Sequence, residues 1–279
     1  MIVKILGNLD HKYINNTLIK TKELIKIPKN LTIYFLENLN LCYEIKLPRN
    51  FQNRFKTECN QKVSFSVNFK NKNLIIIYVT KELQKNDKAL IGLMLHEIMH
   101  IIQMGQGIYK NIYSDFNDIY LMNYKLINNL NYDKTRLKQL FNDLSIMIIS
   151  TLKDIYANDT IIRKKLDLYL IKYYHLEFNR RICPKPMFYE KSNFKKDINI
   201  INLVFDYELS LLSIILPLYK VKKAQPLIDV VEDCYESNIR YFSERCHELI
   251  NLYFTSFNKK DFNKTFINFV FLKIYNILK

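Results

Sequence analysis

"GLMLHEIMHIIQMGQG", residues 92–107, is the stretch on which the reading of this chain turns. His96 and His100 stand four apart, Glu97 follows the first, and the flanking Leu93, Met94, Leu95, Ile98, Met99, Ile101 and Ile102 carry no charge. Residues four apart on a helix share a face. Both imidazoles can therefore address one ion, which zinc accepts at about 2.0–2.1 Å. Glu97 lies one position round from His96 and borders the same face. That placement suits a base acting on water whose pKa a cation has lowered to about 7. The competing reading is a buried helix whose two histidines are satisfied by backbone or carboxylate partners.

The neighbouring sequence supports the helix. "LTIYFLE" (31–37) reads as a strand. "KVSFSVNF" (62–69) alternates, with Val63, Phe65, Val67 and Phe69 on one face and Ser64, Ser66 and Asn68 on the other, the period of a half-buried strand. "NKN" (71–73) is turn chemistry, and "LIIIYVT" (74–80) reads as a strand buried on both faces, so the pair predicts a hairpin. Asn86 or Asp87 can cap the helix that follows, and Gly105 or Gly107 can end it.

Beyond it the chain turns helical. Ser114 can cap a helix running to about 127, and Asp133 can cap one over "LKQLFNDLSIMIISTLKDIYAND" (137–159). Residues 176–197, with two prolines and mixed charge, read as a loop. Further helices are expected at about 198–216, 226–256 and 261–278. The fold class expected is α+β, a small mixed or antiparallel sheet before a predominantly helical core and C-terminal helices. The divisions expected are 1–85, 86–178 and 179–279, forming one compact unit.

Basic residues number 42 against 27 acidic, a net charge of +15. They are scattered, at most two in a row, as at Lys164–Lys165 and Arg180–Arg181, so a solvated surface is favoured over a nucleic-acid tail. Phe65 and Phe69 belong to the apolar face of their strand and read as core rather than base-stacking residues. The five cysteines are odd in number and none forms a CxxC pair, which argues against a disulfide framework and a thiolate metal site. A reducing, cytoplasmic location is therefore expected. No signal peptide is evident in "MIVKILGNLD", and "LSLLSIILPLY" (209–219) is too short to span a bilayer.

A hydrolytic zinc site needs a third protein ligand and an open fourth position. No histidine follows His100 at a telling spacing: Gln103 and Gln106 occupy the places where a third-histidine pattern would need Gly and His. Two downstream aspartates share the letters "DIY", Asp118 and Asp154. Asp154 is better built for the task. Asn158 lies four on, where it could accept a hydrogen bond from a liganding histidine, and small Ala157 permits close helix approach. Asp118 has Leu121 and Met122 at the matching positions and is the alternative third ligand.

HEIMH (96–100) followed by "DIYAN" (154–158) resembles the gluzincin branch of the zincin metallopeptidases, which carry HExxH on one helix and ExxAD on a later one. The resemblance covers about 70–160. Asp154 replaces the liganding glutamate and Asn158 the supporting aspartate. The resemblance implies one zinc on His96, His100 and Asp154, Glu97 as general base in peptide hydrolysis, and a sheet edge that pairs with an extended peptide substrate. "NLIIIYVT" or "LTIYFLE" could be that edge. His247, His175, Tyr156 and Tyr241 are chemically able to stabilise an oxyanion. Two other functions stand beside the peptidase: a zincin-fold zinc binder without catalysis, and a basic helical nucleic-acid binder with HEIMH in its core.

Overall fold

The structure is a computed structural model that describes residues 1–45, 64–69, 72–127, 130, 132–180, 198–238, 243–257, 259 and 261–279. It is α+β, with one four-stranded mixed sheet near the N-terminus and helices through most of the rest. By contacts the chain divides into two units. The first is Met1–Gln106 with Thr160–Arg180, and the second is Gly107–Asp159 with Arg181–Lys279.

The first unit opens with β1 (Ile2–Leu6), α1 (His11–Leu24) and β2 (Leu31–Leu36), a parallel pair joined by a crossover helix. Asp10 caps α1, its Oδ1 accepting from the Tyr13 N–H at 2.9 Å. β3 (Ser64–Phe69) and β4 (Lys72–Tyr78) form the expected antiparallel hairpin, and β4 also runs parallel to β2. The sheet order is β1-β2-β4-β3. β2 and β4 are therefore interior strands. Among the described residues the free edges belong to β1 and β3, which corrects the expectation that "NLIIIYVT" or "LTIYFLE" supplies an edge.

One face of the sheet gathers Leu36, Phe65 and Ile76 with Cys42 and Ile45, flanked by Val67 and Leu74. The other carries Ile33, Phe35, Ile75 and Ile77, all fully buried. Both faces being covered explains why β4 is apolar at every central position.

α2 (Asp87–Gly105) starts where the sequence places it: the Asn86 side chain accepts from the Ala89 N–H at 3.0 Å. It is buried around nearly its whole circumference, as its largely apolar sequence requires, and it packs on β3, on α1 and on α5 (Asp167–Arg180). Helix α5 runs to Arg180, so 176–180 are helical where a loop was expected; 181–197 lie outside the described residues.

The second unit is helical. α3 (Ile108–Ile127) begins straight after Gly107, whose positive φ of 76° makes the turn, so Ser114 lies inside the helix rather than at its cap. α4 (Lys134–Arg163) is capped by Asp133, whose Oδ1 accepts from the Arg136 N–H at 2.9 Å; its last residues, from Thr160, belong to the first unit. α6 (Ile198–Leu218), α7 (Gln225–Asn238), α8 (Ser243–Ser256) and α9 (Phe262–Leu278) complete the chain, α7 and α8 replacing the one helix expected over 226–256. α3 packs on α9, and Phe116, Tyr120, Phe141 and Phe271 interlock there, with Phe141 and Phe271 stacked 5.5 Å apart.

Cys42 is disulfide-bonded, and the other four cysteines lie outside the residues whose side chains are described. Pairing depends on spatial proximity rather than on spacing along the chain. The odd cysteine count therefore misleads here, and the cysteines no longer argue for a reducing compartment. Among the described residues no helix is long and apolar enough to cross a membrane.

Candidate metal centre

Helix α2 sets the geometry. His96 and His100 are both 8% exposed, and their Nε2 atoms lie 3.0 Å apart with the rings nearly perpendicular, at 86°. A neutral imidazole has one N–H and one lone pair. Two Nε2 lone pairs at this distance repel unless a proton or a cation lies between them. The separation is close to the roughly 3.3 Å that ligands at zinc–nitrogen distance adopt around a tetrahedral ion.

Asp154, the third ligand that the sequence offers, is half-buried on α4 in the second unit.

Glu97 is 4% exposed. Its Oε1 accepts a 2.6 Å hydrogen bond from the Ser64 hydroxyl on β3, and its Oε2 is buried without a hydrogen bond. A buried carboxylate oxygen left unpaired is costly, so this atom marks a place where a polar group is expected. Two converging imidazole nitrogens are donors that suit a borderline divalent cation, and the orphaned Glu97 oxygen beside them is free of the Ser64 bond and able to take a proton.

The remaining sequence-derived residues fall elsewhere. Asp118 is exposed on α3 and paired with Lys264 at 3.0 Å, a position on the helix surface that spacing alone could not show. The Asn158 amide donates to the Ser213 carbonyl oxygen at 2.9 Å, which commits its nitrogen to α6. Next to it Asp159, buried and overlooked in the sequence, accepts from the Tyr253 hydroxyl at 2.9 Å and from Lys220 at 3.2 Å. The Tyr156 hydroxyl donates to Asn263 at 2.9 Å, and burial beside Asp115 pushes its pKa up to about 12. The side chains of His247 and Tyr241 lie outside the described residues.

Two tyrosines that no sequence motif marks flank His96. The rings of Tyr173 and Tyr174 on α5 both stand 6.3 Å from the His96 ring. They reach it because α2 and α5 touch at Gly92, one turn earlier, where an added β-carbon would lie 2.1 Å from the Tyr169 carbonyl oxygen. Glu177, one turn further along α5, is buried, in a stretch whose composition reads as loop. Gln103 lies seven residues after His96 and so on the same helical face, with both amide atoms buried and without hydrogen bonds.

Compared with protein-family models, with curated proteins and with solved structures, the chain matches none.

Proposed function

We propose that the protein is a zinc-dependent metallopeptidase in which His96, His100 and Asp154 hold one zinc and Glu97 is the general base. The observation that carries this reading is the convergence of two buried Nε2 atoms, 3.0 Å apart, beside the buried carboxylate of Glu97 on the same helix. When bound, zinc supplies a Lewis acid that polarises a carbonyl and acidifies water.

The chain's own residues supply the rest. Glu97 has one oxygen engaged by Ser64 and one left to take a proton. In peptide hydrolysis that proton passes from the attacking water to the leaving amine nitrogen, so a single carboxylate serves as base and then as acid. Burial of His96, Glu97 and His100 keeps bulk water from competing for those contacts and strengthens each charge interaction.

β3 supports a peptide as the substrate class. It is a free edge among the described residues, and it touches Glu97 through Ser64. An extended peptide added to that edge gains main-chain hydrogen bonds whatever its sequence.

The test is a peptide-library digest by the zinc-loaded protein beside Glu97→Gln, with zinc content measured in both. The expected result is cleavage by the native protein and a loss of roughly 100-fold or more in Glu97→Gln, with zinc retained. Zinc in both and cleavage in neither would make the protein a zinc binder without hydrolysis.

A further inference from the structure

We propose that Ser64 is a positioning residue for Glu97, fixing which carboxylate oxygen acts as the base; this rests on the metallopeptidase reading. Ser64 and Glu97 are 33 residues apart, on different elements, and their bond of 2.6 Å has the length of a charge-assisted O–H···O contact.

The strand pattern shows why a serine stands there. Alternation along β3 sends Phe65 and Val67 into the cluster with Leu36 and Ile76, and sends Ser64 and Ser66 to the opposite face. That opposite face is not solvent. It is the face against α2, where the neighbouring β4 side chains Ile75 and Ile77 are fully buried. A polar residue on a buried face needs a partner, and Ser64 finds it in Glu97. Ser64 is itself held by the ladder, in register with Ile77, so its hydroxyl has a fixed origin.

The carboxylate torsion of glutamate is broad and roughly two-fold, so its two oxygens exchange freely unless one is tied. A hydroxyl has one proton to give. Donated to Oε1, it removes that exchange and leaves Oε2, the buried atom without a hydrogen bond, as the oxygen that meets the substrate's water. Such pre-orientation acts on the chemical step rather than on substrate binding.

The experiment uses the full chain, zinc-loaded, with Ser64→Ala and Ser64→Thr. The expected result for Ser64→Ala is a fall in kcat of about tenfold or more with KM within about twofold and zinc content unchanged, since a hydrogen bond to a charged group is lost. Ser64→Thr keeps a hydroxyl on a residue that strands favour and should restore most of kcat.

A second readout needs no activity. In zinc-free protein, urea unfolding of Ser64→Ala, Glu97→Ala and the double variant should show the two sites coupled by about fivefold or more in the unfolding constant. Native kcat in Ser64→Ala, a kcat loss that Ser64→Thr does not rescue, or additive unfolding effects would each overturn the proposal while the peptidase reading stands. A native protein that binds zinc and cleaves no peptide would overturn both, without reference to any Ser64 variant.

Discussion

Gly92 and Tyr169 touch so closely that a β-carbon on the glycine would lie 2.1 Å from the tyrosine's carbonyl oxygen. A glycine inside a helix costs about 1 kcal/mol relative to alanine. Gly92→Ala should therefore stabilise α2 if the helix stood alone. Here the obstacle is backbone, which cannot rotate away, so α5 must move off α2 and carry Tyr173 and Tyr174 from the His96 ring. Overpacking costs about 1–3 kcal/mol, and the expected result is a net loss of stability with weaker zinc retention. Urea unfolding and a zinc titration of Gly92→Ala check this; a more stable variant would show that the contact is looser than described.

Gln103 gives a prediction of opposite sign. Its amide is 1% exposed, with neither nitrogen nor oxygen hydrogen-bonded. Burying an unpaired polar group costs about 1–3 kcal/mol. Gln103→Met keeps the length and removes the polarity, and should raise the unfolding midpoint. A lower midpoint would mean that the amide holds a polar partner, such as an ordered water, that methionine cannot replace.

In the second unit, Lys273 on α9 meets Glu208 on α6 at 2.9 Å, at 7% and 1% exposure, and the other Glu208 oxygen has no hydrogen bond. Removing one partner of a buried pair strands the other charge, at a cost of about 3–5 kcal/mol, whereas an apolar replacement of both is often neutral. Lys273→Met should destabilise strongly, and adding Glu208→Leu should recover most of the loss. Thermal unfolding of the single and double variants measures it; additive losses would rule out the stranded-charge explanation.

Alkaline pH should weaken both units through two tyrosines. Burial raises Tyr13, whose hydroxyl donates to the Leu83 carbonyl oxygen at 2.6 Å, to about 12, and burial beside Asp115 raises Tyr156 to about 12. A group whose pKa is raised on folding holds its proton more tightly in the folded state. Its contribution is complete below the unfolded value of 10.0 and is lost as pH climbs towards about 12. Urea midpoints of the native protein should fall across that window, and Tyr13→Phe with Tyr156→Phe should flatten the fall. A profile that the double variant leaves unchanged would assign the loss to other groups.

The elements legible in the sequence are those with a strong local signal. Alternation in "SFSVNF", the unbroken apolar run of "LIIIY", and the caps Asn86 and Asp133 each gave an element at its observed place. β1 and α1 were missed because their signals are weak: five residues with Lys4 in the middle, then a helix with four buried positions. The histidine pair follows from helical periodicity alone, so its convergence could be read directly. Ser64 could not, because a strand's polar face looks solvent-exposed until a second layer is known to cover it. Tyr173, Tyr174 and Glu177 depend on which helix packs against α2, and a single sequence does not say which.

The measurement that bears most directly on the account is the zinc content of the purified full chain by elemental analysis, beside His100→Ala, Asp154→Ala and Asp118→Ala. The account predicts one zinc per chain in the native protein and in Asp118→Ala, and loss of zinc in His100→Ala and Asp154→Ala, with all four folded by circular dichroism. No zinc in the native protein after reconstitution, or full zinc in Asp154→Ala, would contradict it.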